Sequence, residues 1–217
     1  MEVVESQAWL NRAKSAPRAS RILESTDARD RLARWARPMT VLPEHVTAFW
    51  REAGPSRWFR KDEAFDAGFR NRFLEAHEAA MRGDLDAWAR EAEGALALLI
   101  LLDQFPRNAF RGTARMYESD VKARAVTRAA IDAGFDRVVE PELRNFFYLP
   151  LMHSESLADQ ESAVELARGC GGEALRYALQ HRDIVAKFGR FPHRNALLGR
   201  TSTPEEEHFL ANGGFAG

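Results

Sequence analysis

Residues 62–104 read DEAFDAGFRNRFLEAHEAAMRGDLDAWAREAEGALALLILLDQ, and the periodicity of this stretch decides the fold class. Phe65, Phe69, Phe73, Ala76 and Ala80 recur at helical spacing and share one face. Asp62 stands where an N-cap carboxylate accepts first-turn amides, and Gly83 where a helix closes in a left-handed conformation. Asp84 then caps a second helix running to Gln104, and so short a link turns the two helices antiparallel. Leu85, Trp88, Leu96, Leu99, Ile100 and Leu102 cover most of that second helix, which predicts a buried central position. No segment alternates apolar and polar residues convincingly, so the expected class is all-α.

Outward from this pair the helical signals continue. A helix is expected over Ser119–Gly134. Pro141 opens another towards Met152, kinked at Pro150. Ser156 with Asp159 reads as a capping box for a helix reaching Arg168, and Gly171 and Gly172 separate it from one ending near Gly189. Thr203, Pro204 and Glu206 supply the N-cap, first-turn proline and reciprocal acceptor of a short last helix. Helix hairpins in succession point to a stacked, solenoid-like arrangement. Residues 1–39, with an excess of basic side chains, read as a helical or partly mobile arm appended to a single domain over 40–217.

Composition narrows the function classes. A hydrophobic content of 45% and a charged content of 29% belong to a globular chain, and a formal net charge of -1 offers no global attraction to nucleic acid or anionic lipid. The longest apolar run, Gly94 to Leu102, is far short of the roughly 20 residues a membrane-spanning helix needs. Cys170 has no second cysteine to pair with, which suits a reducing compartment, and a cytoplasmic location is expected. Phosphate-loop, dinucleotide-binding and nucleophile-elbow patterns are absent, so no cofactor is expected.

Two corners resemble each other. Asp103-Gln104-Phe105-Pro106-Arg107-Asn108-Ala109 ends one apolar helix, and Gly189-Arg190-Phe191-Pro192-His193-Arg194-Asn195-Ala196 ends another. Proline disfavours a helical conformation for the preceding Phe and so turns the chain. One reading makes Arg and Asn staples for helix-end carbonyls. The other makes the corners converge, with Arg107, Arg190, Arg194 and Arg200 around an anion, since a guanidinium suits two-pronged carboxylate or phosphate recognition.

These segments carry a family resemblance. Leu102 to Asn108, Tyr148-Leu149-Pro150-Leu151-Met152-His153-Ser154-Glu155, His181-Arg182-Asp183 and Phe188 to Asn195 resemble the bacterial family called domain of unknown function 924. Thr203-Pro204-Glu205-Glu206, Phe49-Trp50, Trp58-Phe59 and Phe65-Asp66 extend the likeness over Val41 to Phe215. Arg51-Glu52 stand where family members carry another aromatic and a glycine. The resemblance implies a right-handed, tetratricopeptide-like superhelix and no particular activity.

Candidate site residues follow from side chains that helical spacing turns inward. His153, close to a chain reversal, reads either as a helix-end hydrogen-bonding group or as a general base oriented by a carboxylate such as Glu155. Glu161 shares a stripe with Leu157, Val164 and Arg168, and a buried acid there needs a partner. His181 shares one with Tyr177, Ile184 and Phe188. Asp103 and Gln104 end the most buried helix, where Arg107 can offset the carboxylate. His153, Glu161 and His181 are thus the candidates for proton transfer. Asp103, Gln104, Arg107, Asn108, Arg190, His193, Arg194 and Asn195 are the candidates for binding a small anionic molecule or a peptide carboxylate. No histidine pair has diagnostic metal spacing, so no metal site is expected. Acid–base or hydrolytic turnover fits such a set, while a tetratricopeptide-like scaffold gripping a peptide, or a purely structural role, are the alternatives. A chain beginning at Met39 is expected to fold cooperatively; loss of its helical circular dichroism would make the arm part of the core.

Overall fold

The computed structural model describes residues 41–215, and the arm expected over 1–39 lies outside the described residues. Among the described residues the chain is helical, with no strand. Its helices are α1 (Pro43–Ala53), α2 (Pro55–Trp58), α3 (Glu63–Arg82), α4 (Ala92–Leu99), α5 (Phe105–Ala109), α6 (Asp120–Asp132), α7 (Leu149–Met152), α8 (Leu157–Ala167), α9 (Gly172–Phe188) and α10 (Pro204–Ala211). None is long and apolar enough to cross a membrane.

The caps read from sequence at both ends of α3 are present. The Asp62 carboxylate accepts from the Phe65 amide at 3.1 Å, and Gly83 closes the helix at φ 93°. Phe69, Phe73, Ala76 and Ala80 are buried along its inner face. Phe49 of α1 stacks on Phe65 and Phe69 at 5.2 Å, and Trp50 packs against Phe146 at 5.4 Å. Each fully buried Phe or Leu contributes about 1.5–3 kcal/mol, so this aromatic cluster and α4 dominate the core. Every residue from Ala95 to Leu102 is fully buried, with α1 and α6 packed on α4.

The second helix does not start at Asp84. That residue pairs with Arg82, the chain makes a 3-10 turn over Asp86–Arg90, and α4 begins only after the extended Glu91. The turn folds the Trp88 carbonyl onto Gly94, where a Cβ would lie 2.1 Å from its oxygen. Only glycine permits that approach.

The helix also fails to end at Gln104. It widens into a π turn, Ile100–Gln104, and runs on through Phe105 and Pro106 as α5. Phe105 stays helical (φ -53°, ψ -51°), contrary to the turn expected before proline. Pro106 has no amide hydrogen to return to the preceding turn. Side chains donate to three carbonyls there instead: His77 Nδ1 to Leu101 at 2.9 Å, Ser119 Oγ to Leu102 at 2.5 Å and Arg107 Nη1 to Asp103 at 2.9 Å.

Two further expectations change. Pro141 opens no helix; a 3-10 turn (Arg144–Phe147) precedes α7, which Pro150 initiates rather than kinks. Ser156 makes no side-chain cap for α8, and Asp159 instead accepts from Ser154 Oγ at 2.6 Å. The box of Thr203 and Glu206 on α10 forms as read. Ser119→Ala is expected to lower stability by about 1 kcal/mol through loss of the π-turn bond, measurable by urea unfolding.

Candidate functional site

The π turn places Asp103 in the interior, 1% exposed. A lone buried carboxylate is costly, and donors converge on this one. Gln104 Nε2 donates to Oδ2 at 2.6 Å, while His153 Nδ1 and Arg107 Nη1 lie 2.7 and 3.1 Å from Oδ1. Burial alone would raise this carboxyl group; the Arg107 charge and the bonds from His153 and Gln104 hold it at about 2.

His153 lies at the turn between α7 and α8, and its position is fixed from below. Gln160, fully buried on α8, donates to the carbonyls of Met152 and Ser154, both at 2.6 Å. An ionised Asp103 can only accept, so His153 Nδ1 carries the proton and Nε2 keeps its lone pair. Among the described residues none bonds to that Nε2. Burial and the Arg107 charge press the imidazole down to about 4. His153 and Asp103 therefore form a neutral-imidazole and carboxylate pair of the kind that removes protons.

His181, on α9, points inward as its stripe predicted and is 8% exposed. Its Nδ1 donates to the Tyr177 carbonyl at 2.8 Å, which again leaves Nε2 as the basic nitrogen, and its ring centre is 6.2 Å from that of His153. Phe191 and Phe215 pack edge-on to His181 at 5.5 and 4.7 Å, and His193 lies 5.6 and 5.2 Å from the same two rings. Burial and the Arg194 charge lower His193 to about 4, and its buried Nδ1 has no described partner.

The two corners do meet, through Asp120, the first residue of α6. Arg107 Nη2 contacts its Oδ1 at 3.0 Å, and Arg194 Nη1 reaches Oδ2 only at 3.5 Å. Arg107 is thus shared between Asp103 and Asp120. Arg194 is different: its side chain is 7% exposed, its guanidinium donates no hydrogen bond to a described residue, and its Nε is buried without a partner. Its guanidinium lies over the rings of Phe191 and Tyr117 at 4.4 and 4.6 Å. Burial, then repulsion from Arg107, pulls it down to about 10.

Other candidates lie elsewhere. Glu161 is exposed, because α8 buries Gln160, Ala163, Val164 and Ala167, a face one step round from the stripe expected. Arg190 is a staple, donating from Nε and Nη2 to Glu206 at 2.6 and 2.8 Å. Asn195 bonds Ser202 and Glu206 in the same corner. Asn108 bonds Asp66 at 2.7 Å beside Arg111, tying α5 to α3. Glu155 does not orient His153; it accepts from Arg200 through both oxygens at 2.8 Å and from the Phe191 amide at 2.9 Å. Asp120 and Tyr117 were not legible in advance. An acid in the first turn of a helix reads as ordinary dipole compensation. Among the described residues no three His, Cys, Asp or Glu side chains are grouped to hold a metal ion.

Comparison with known proteins agrees with this architecture. The family model described as "Bacterial protein of unknown function (DUF924)" matches residues 46–214, and the chain belongs to that family. A solved structure, that of a protein of unknown function from Agrobacterium tumefaciens, is similar to it at 52% sequence identity and a TM-score of 0.78, covering 79% of this chain and 97% of that one. No curated protein matches.

Two partly buried histidines shape the acid response. His153 and His193 stay neutral down to about 4, whereas an unfolded chain protonates histidine near 6.5. Between those values the unfolded state binds more protons, so stability falls as pH falls through this window. Asp103, held at about 2, keeps its contribution there. The melting temperature should decline from pH 7 to pH 4.5, and His153→Gln should flatten part of the decline; a flat profile in the parent would refute this account.

Proposed function

We propose that this protein binds a small anionic ligand at Arg194 and that the His153–Asp103 pair, with His181 beside it, supplies acid–base chemistry in the same cluster. The observation that carries this is the buried guanidinium of Arg194, whose Nε has no partner among the described residues. A buried polar donor left unpaired costs on the order of 1–3 kcal/mol, and an anion is the group that offsets both the missing bond and the charge. His153 supports a turnover step: its proton-free Nε2 can take a proton from substrate or water, while Asp103 stabilises the imidazolium that results. Hydrolysis or another proton-transfer reaction suits these groups.

The packing of α8 against α9 supports reading the later helices as stacked hairpins of a tetratricopeptide-like, right-handed superhelix. In that setting the alternative ligand is the carboxylate of a partner peptide. A lone thiol, Cys170, suits a cytoplasmic setting.

The two central arginines separate binding from stapling. Arg107→Lys is expected to cost about 1–3 kcal/mol of folding stability, since one ammonium cannot serve Asp103 and Asp120 together. Arg194→Lys is expected to leave stability nearly unchanged and to weaken the thermal shift produced by inorganic phosphate, succinate or benzoate. Absence of a saturable shift with every one of these anions in the parent protein would remove the proposal.

A further inference from the structure

The donors that Arg194 leaves unengaged have a defined shape. Nη1 is turned towards Asp120, Nε is buried without a partner, and Nη2 bonds to no described residue. The rings of Phe191 and Tyr117 attract the charge through their faces but do not accept the N–H groups in the guanidinium plane. What remains is the side-on edge formed by Nε and Nη2.

Two other arginines of this protein show what that edge accepts. Arg51 donates from Nε and Nη2 to the two oxygens of Glu140 at 2.9 and 3.0 Å. Arg190 presents the same edge to Glu206 at 2.6 and 2.8 Å. In both, two parallel N–H groups meet the two coplanar oxygens of a carboxylate.

Charge narrows the class further. Asp120, shared with Arg107 at 3.0 Å and 3.5 Å from Arg194, offsets the Arg194 charge only in part. A dianionic head would bring a second negative charge close to Asp120, whereas a monoanion would not. Resting on the reading of Arg194 as an anion site, we infer that the ligand's head group is a planar carboxylate, held side-on by Nε and Nη2 of Arg194, in preference to a tetrahedral phosphate or phosphonate.

The test compares heads on a common body. Isothermal titration of the full chain with benzoate and with phenylphosphonate should give at least tenfold tighter binding of benzoate, and Arg194→Lys should weaken benzoate at least tenfold. If that variant does not fold, the comparison in the parent protein still decides. A short peptide with a free C-terminus, run beside its amide, tells the source of the carboxylate. Binding of benzoate alone supports a small acid, and binding of the free peptide but not the amide supports a peptide end. Phenylphosphonate binding as tightly as benzoate, or more tightly, would overturn the carboxylate assignment while leaving an anion site at Arg194. No binding of benzoate, phenylphosphonate or peptide would overturn both.

Discussion

The carboxylate of Asp103, buried at 1% exposure, is the constraint on which the surrounding structure depends. A charge in that position is tolerable only when donors surround it, and its partners come from two parts of the chain. Gln104 and Arg107 are local, while His153 arrives from 50 residues away. Satisfying Asp103 fixes the tautomer of His153 and holds Arg107 in place. Arg107 in turn contacts Asp120. Asp120 has only a 3.5 Å contact left for Arg194. Compensation is therefore strong at one end of the series and weak at the other, where the proposed ligand binds.

Arginine performs two kinds of task here. Arg190, Arg200 and Arg111 are partly exposed and grip carboxylates, the first and last tying a loop to a helix and Arg200 tying one loop to another. Arg194 is as buried as a core residue and lacks a carboxylate at hydrogen-bonding distance. Residue type does not distinguish these roles; the number of acids within reach does.

The paired Phe-Pro corners illustrate how local sequence underdetermines local structure. Phe191 adopts the extended conformation expected before proline (φ -91°, ψ 108°), whereas Phe105 remains helical. At Phe105 the π turn accommodates the proline, and His77 and Ser119 donate to carbonyls in the turn before it. Those two donors lie outside the motif, on α3 and just before α6. The same dipeptide therefore lies beyond the end of one helix, which Gly189 has already closed, and inside another.

Legible in the chain alone were the interactions that close within a turn or two. The helical class, the caps at Asp62, Gly83 and Thr203–Glu206, the inward face of His181 and the pairing of Asp103 with Arg107 all follow from spacings of three or four residues. Tertiary structure alone decided that His153 is oriented by Asp103 and not by Glu155. It also decided that Asp120 joins the two corners, and that α8 turns Glu161 outward while Gln160 braces the His153 turn. The physical reason is range. Periodicity and capping are written in neighbouring residues, but the partner of a buried charge is whichever donor the packed helices bring to it, and no spacing in the chain records that.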